Sequence, residues 1–141
     1  MTDIRNLRVY EAAEALSDLA EAAAEQLDAT RAPGLRSQMR RAAESIPANL
    51  SEGAGQGTDP QLLRGVNLSI GSTNELGVHL RRARKRAALD PITIHRCESR
   101  RLAVSKMLLR LRQAIEERIA HRENEERDRK FKKDKENPQS P

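Results

Sequence analysis

The chain has 141 residues, enough for one domain and a short tail. Hydrophobic residues make up 37% and charged residues 33%, but there is one Tyr, one Phe and no Trp. A core must come from Leu, Ile, Val, Met and Ala, which suits a helical bundle and argues against a β-sandwich or barrel. The scarcity of aromatics also argues against nucleic-acid modules that stack bases on aromatic platforms. A formal net charge of +5 and an isoelectric point near 9.9 favour an anionic partner.

The single Cys97 leaves no internal disulfide and no multi-cysteine metal site. No stretch approaches the roughly 20 apolar residues of a membrane span. The opening MTDIRNLRVYEA has neither a basic leader nor an apolar signal core. A cytoplasmic protein with no membrane partner is expected.

Breakers fall in three clusters: Thr30–Gly34, Gly53–Pro60 and Asp90-Pro91. Asp59-Pro60 and Asp90-Pro91 each pair a capping Asp with Pro in a first helical turn. The segments between predict helices over about 4–29, 34–54, 60–88 and 91–120. In the first, Val9, Ala13, Leu16, Ala20, Ala23 and Leu27 alternate steps of four and three. Leu35, Met39, Ala42, Ile46 and Leu50 share a face of the second. Leu62, Val66, Ile70, Thr73, Leu76, Leu80, Ala83 and Ala87 do so in the third. Cys97, Val104, Leu108, Leu111 and Ile115 do so in the fourth. That spacing is the seam of near-antiparallel helices, so the expected fold is all-α, an up-down-up-down four-helix bundle over residues 1–120. Pro47 inside the second helix should kink it, a break into two short helices being the alternative. Residues 121–141, His-Arg-Glu-Asn-Glu onward, form a charged tail expected to be partly helical and then disordered.

The charge is unevenly placed. Residues 1–32 carry three basic and seven acidic residues; 61–90 carry six and two; 91–120 carry seven and three. In an up-down-up-down bundle the first and third turns lie at one end. Arg81, Arg82, Arg84, Lys85 and Arg86 finish the third helix there, and Arg96, Arg100 and Arg101 begin the fourth. Arg31, Arg36, Arg40 and Arg41 surround the other turn. Two readings stand: a pole that binds a phosphate backbone, or a solvated helix end. The acidic first helix could also pack on the basic face of another copy.

No catalytic constellation emerges. His79, His95 and His121 are scattered and read as surface residues, and His95 and Cys97 do not share a helical face. Gly53-Ala54-Gly55-Gln56-Gly57 lacks the preceding strand and Lys-Ser/Thr ending of a phosphate loop and reads as a turn. No cofactor or metal is expected. Arg41, Ser45, Asn49 and Glu52 on the second helix, with Ser72 and Glu75 on the third, read as a structural polar network, or else a contact surface. Gly71 and Ser72 should let two helices approach closely.

At these residues the sequence resembles a known family. Gly34-Leu-Arg-Ser-Gln-Met-Arg-Arg-Ala-Ala-Glu-Ser-Ile-Pro-Ala-Asn-Leu-Ser-Glu-Gly53 is similar to a signature of four-helix-bundle proteins encoded within intervening sequences of large-subunit ribosomal RNA genes. More distantly, it resembles the accessory variability proteins of diversity-generating retroelements. Asn6–Ala12 and Gly71–Leu76 agree, and the likeness spans about residues 4–119. The resemblance implies a barrel-shaped homopentamer with a non-enzymatic role. It implies nucleic acid as partner, RNA before DNA, bound through a basic surface, and a reverse transcriptase as a further partner. Tyr10 stands where relatives often have Trp, Gln56 where a basic residue is common, and Gly65 where an apolar residue is usual; Gly65 should leave packing space. The residues expected to contact phosphates are Arg81, Arg82, Arg84, Lys85, Arg86, Arg96, Arg100, Arg101, Arg36 and Arg40.

Overall fold

The computed structural model describes residues 4–138, and within them the chain is four helices with no strand: α1 (Ile4–Glu25), α2 (Leu35–Gly55), α3 (Asp59–Lys85) and α4 (Pro91–Glu136). Each helix packs on the next and α4 returns to α1, while the backbones of the diagonal pairs stay apart. Short turns and this cyclic adjacency make a four-helix bundle.

The seam residues read from the sequence build the core. Leu16, Met39, Ile46, Val66, Leu76, Leu80, Leu108 and Ile115 are all fully enclosed. Two α3 positions depart from expectation. Ile70 lies only partly inside, and the neighbouring Ser69 takes the interior place. Ala87 is exposed beyond the end of α3, with Ala88 buried instead.

Ser69 and Thr73 enter the core because their hydroxyls have partners. Ser69 Oγ donates to the Ile46 carbonyl at 2.8 Å, and Thr73 Oγ1 donates to the Ser69 carbonyl at 2.7 Å. A buried hydroxyl without such a bond would cost about 1–3 kcal/mol. The Ser69 bond lands beside Pro47, and α2 runs unbroken through that proline.

The tightest approach in the bundle is between α2 and α3. A Cβ on Gly65 would lie 2.6 Å from the Asn49 carbonyl oxygen and 2.9 Å from Gly53 Cα. Gly65 therefore leaves no packing space; the backbone of α2 fills it. Gly71, by contrast, has nothing within 4 Å of a Cβ and plays no part in close packing.

The helix ends also differ in detail from the sequence reading. α1 stops at Glu25, and α2 remains helical through Gly55, so the glycine-rich stretch is largely helix. Thr58, not Asp59, caps α3: its Oγ1 accepts from the Gln61 amide at 3.3 Å and donates to Gln61 Oε1 at 2.7 Å. Asp59 is freed to receive Arg118 of α4 at 3.0 Å. α4 continues to Glu136, well beyond the expected end of the bundle; residues 139–141 of the charged tail lie outside the described residues.

These two glycines give opposite expectations. Gly65→Ala should destabilise by about 3 kcal/mol, because backbone rather than a flexible side chain must move. Gly71→Ala should stabilise by about 1 kcal/mol, the ordinary helix preference for Ala. Urea unfolding followed by circular dichroism checks both.

Candidate nucleic-acid interface

The turn between α1 and α2 and the turn between α3 and α4 meet at one pole. The Asp28 amide donates to the Ala88 carbonyl at 2.9 Å, and Arg31 Nη1 donates to the Ala87 carbonyl at 3.1 Å. The end of α3 is closed by a bond from the Ala88 amide to the Ala83 carbonyl at 2.9 Å, with Ala87 left-handed at φ 49°. This arrangement usually has Gly at the left-handed position. The strain on Ala87 aims its carbonyl at Arg31.

The cations expected at the pole divide into two groups. Arg31, Arg36 and Arg40 build it. Arg36 donates from Nε to the Ala24 carbonyl at 3.0 Å and from Nη2 to the Glu25 and Leu27 carbonyls at 3.3 and 3.1 Å. It thereby ties down carbonyls at and just beyond the end of α1, of which that of Ala24 also accepts from the Leu27 amide. Arg31 also pairs with Asp28 at 3.5 Å, and Arg40 lies 3.8 Å from Glu25.

Arg101 belongs to the interior. It is 8% exposed and lies across Gly77, where a Cβ would be 2.8 Å from the guanidinium carbon. Its Nε donates to Glu98 Oε2 at 2.8 Å, Nη2 donates to Glu98 Oε1, and Nη1 reaches the Thr73 carbonyl at 3.5 Å. The hydrogen bonds from Arg101 hold the Glu98 carboxyl below its usual pKa, with Arg81 and Arg84 adding to the effect. Arg101 is thus a core clamp between α3 and α4, not a phosphate contact.

The second group is exposed. The side chains of Arg81, Arg82, Arg84, Lys85, Arg86, Arg96 and Arg100 make no hydrogen bond or close ion pair among the described residues. Sequence reasoning missed Lys106 and Arg110, which continue this surface along the outside of α4. Arg110 stands two heptads after Arg96, and that spacing was the available signal.

The expected polar network takes a different form. Ser45 donates to the Arg41 carbonyl of its own helix, and Glu75 lies 3.4 Å from His79 Nε2. The side chains of Arg41, Asn49, Glu52 and Ser72 make no hydrogen bond with either. The interhelical polar chain runs instead through Ile46, Ser69, Thr73, Arg101 and Glu98. Asn49, Glu52, Gln61, Arg64 and Leu68 line a shallow cleft over the Gly53–Gly65 contact.

His79 is buried rather than on the surface, while His95 is exposed. Cys97 is buried, and desolvation raises its thiol pKa, the opposite of an activated nucleophile. On the other side of the bundle Glu14, Asp18, Glu21 and Glu44 line an acidic cleft between α1 and α2. A hydrogen bond to Glu44 raises the Glu21 carboxyl pKa. No helix among the described residues is long and apolar enough to cross a membrane.

Two outcomes follow from this geometry. Ala87→Gly should raise stability by about 1 kcal/mol by removing the left-handed strain, read as a higher Tm in calorimetry. Because Glu98 is held ionised below its usual range, its stabilisation is full above the ordinary carboxylate pKa. It is lost as pH falls through the lowered value. Glu98→Gln should therefore lower stability at neutral and alkaline pH, where the ionised pair contributes, and flatten the acid side of a stability-against-pH curve.

Residues 5–110 match a family model described as 23S rRNA-intervening sequence protein. No curated protein matches the chain.

Proposed function

Since the chain belongs to the 23S rRNA-intervening sequence protein family, we propose that it is a non-catalytic RNA-binding protein that works as a homo-oligomer. The observation that carries this reading is the group of exposed cations at the end of α3 and start of α4. Seven of them stand without an ion-pair partner among the described residues, on a pole stiffened by Arg31 and Arg36. Cations at the end of α3 complement its dipole, but Arg96 and Arg100 lie in the second and third turns of α4, where its dipole gives them no support. A phosphate backbone would offset the mutual repulsion of these clustered cations. Recognition at this surface depends on backbone and shape, because no Phe, Tyr or Trp lies near it.

Assembly is supported by apolar side chains left outside the bundle. Leu68 and Val78 on α3 and Leu102 and Leu109 on α4 are each about half exposed or slightly less. The homopentamer implied by the resemblance would cover such surface. The acidic cleft of α1 and α2 favours a second reading, a scaffold in which that cleft receives the basic surface of another copy or of a partner protein. A reverse transcriptase is the partner to try first, by analogy with the retroelement proteins that the sequence more distantly resembles.

Size-exclusion chromatography with light scattering, with and without a structured RNA, separates the readings. An oligomer that shifts with RNA at low salt and releases it at higher salt supports the first. An oligomer that ignores RNA and loosens with salt supports the second. Affinity should fall by about 0.7–0.9 log units per log unit of salt for each neutralised phosphate. Replacing Arg81, Arg82, Lys85 and Arg86 together with Ala should lower that slope and leave the circular dichroism spectrum unchanged. An unchanged slope rejects the pole as the binding surface.

A further inference from the structure

The last third of α4 has no role in the bundle. Its buried side chains end at Ile115, Ile119 is half inside, and the final ties to another helix are Arg118 and Arg122 on Asp59. From Glu123 to Glu136 every side chain is exposed, and the helix projects by about 20 Å at its rise per residue. This stretch also lies outside residues 5–110, which the family model covers.

The projection has a patterned charge. Residues 116–126 carry five acidic and two basic side chains, whereas 127–135 carry six basic and two acidic. Arg127, Arg129, Lys130, Lys132, Lys133 and Lys135 are spread around the whole circumference at 100° per residue. Among them is Phe131, the only Phe of the chain, 64% exposed, with Lys135 Nζ 5.3 Å from the ring centroid. Arg127, Phe131 and Lys135 stand at successive i, i+4 positions, so one line of the helix reads cation, ring, cation.

We propose that the tip of α4 is a second, separate nucleic-acid contact, in which Phe131 stacks on an unpaired base while the surrounding Arg and Lys hold the flanking phosphates. An exposed ring among cations is the combination that single-strand binders use. An anionic membrane fits less well: an interfacial helix needs an apolar face, and this one has a lone ring. A helical partner fits less well too, because the a/d apolar spacing ends at Ile119. The contact stands apart from the basic surface by about 25 Å along α4, from Arg110 to Arg127.

The test uses the full chain, a labelled 20-nucleotide oligouridylate, a blunt RNA duplex, and vesicles of phosphatidylcholine with phosphatidylserine. Phe131→Leu keeps an apolar side chain and the helix, and should weaken oligouridylate binding about tenfold, as expected for the loss of one stacked base. It should leave duplex binding unchanged. Lys130→Ser with Lys132→Ser and Lys133→Ser should weaken oligouridylate binding further and reduce its salt slope. The quadruple pole substitution should leave the effect of Phe131→Leu in place. Oligouridylate affinity that ignores both tip variants overturns the proposal. So does binding lost only with the pole variant, which would leave the reading of the pole intact. Tip-dependent binding to vesicles but not to oligouridylate overturns it in favour of a membrane contact.

Discussion

The contact of Gly53 with Gly65 governs how the bundle is put together. It brings two backbones so close that neither position tolerates a Cβ without movement. That closeness lets Ser69 reach across to the Ile46 carbonyl, and Thr73 then bonds back onto Ser69. Thr73 in turn offers its own carbonyl to Arg101, which lies in the space left by Gly77. A single chain of polar contacts thus runs from α2 through α3 to α4. Buried polar chains of this kind define one arrangement of helices where an all-aliphatic core would admit several.

The same logic separates cations that hold the fold from cations that face outward. Arg36 is occupied by the carbonyls that end α1, Arg31 by the carbonyl of a strained Ala87, and Arg101 by Glu98. Each has a geometric task that a point charge alone could not fulfil, because the planar guanidinium serves two or three acceptors at once. The exposed group beside them, Arg81 to Arg86 with Arg96 and Arg100, faces solvent on a rigid platform.

Much of the fold was legible in the residues. The aliphatic seams gave the helices, and almost every seam residue is buried. What was not legible depended on which element sits opposite. Gly65 looked like a defect because sequence shows a missing side chain but not the backbone that replaces it. Arg101 looked like one more surface cation because its partner, Glu98, is one turn away on a mostly charged helix. The Thr58–Gln61 cap was readable from its spacing, yet the adjacent Asp59-Pro60 pair drew attention away from it. The length of α4 was underestimated because burial is not the only support for a helix. Opposite charges at i, i+4, as in His121 with Glu125 at 3.2 Å, stabilise a solvated one.

The unsupported end of α4 also has an angular consequence. Among the described residues nothing beyond Arg122 is locked to the bundle, so residues could be added or removed there without disturbing the core. Each change would turn the tip as well as move it. Removing seven residues would leave Phe131 facing nearly the same way and draw it in by about 10 Å, while removing two would swing it to the far side. Among related chains, length variation in this segment should therefore come in whole turns wherever the direction of the ring matters, and in any number where it does not.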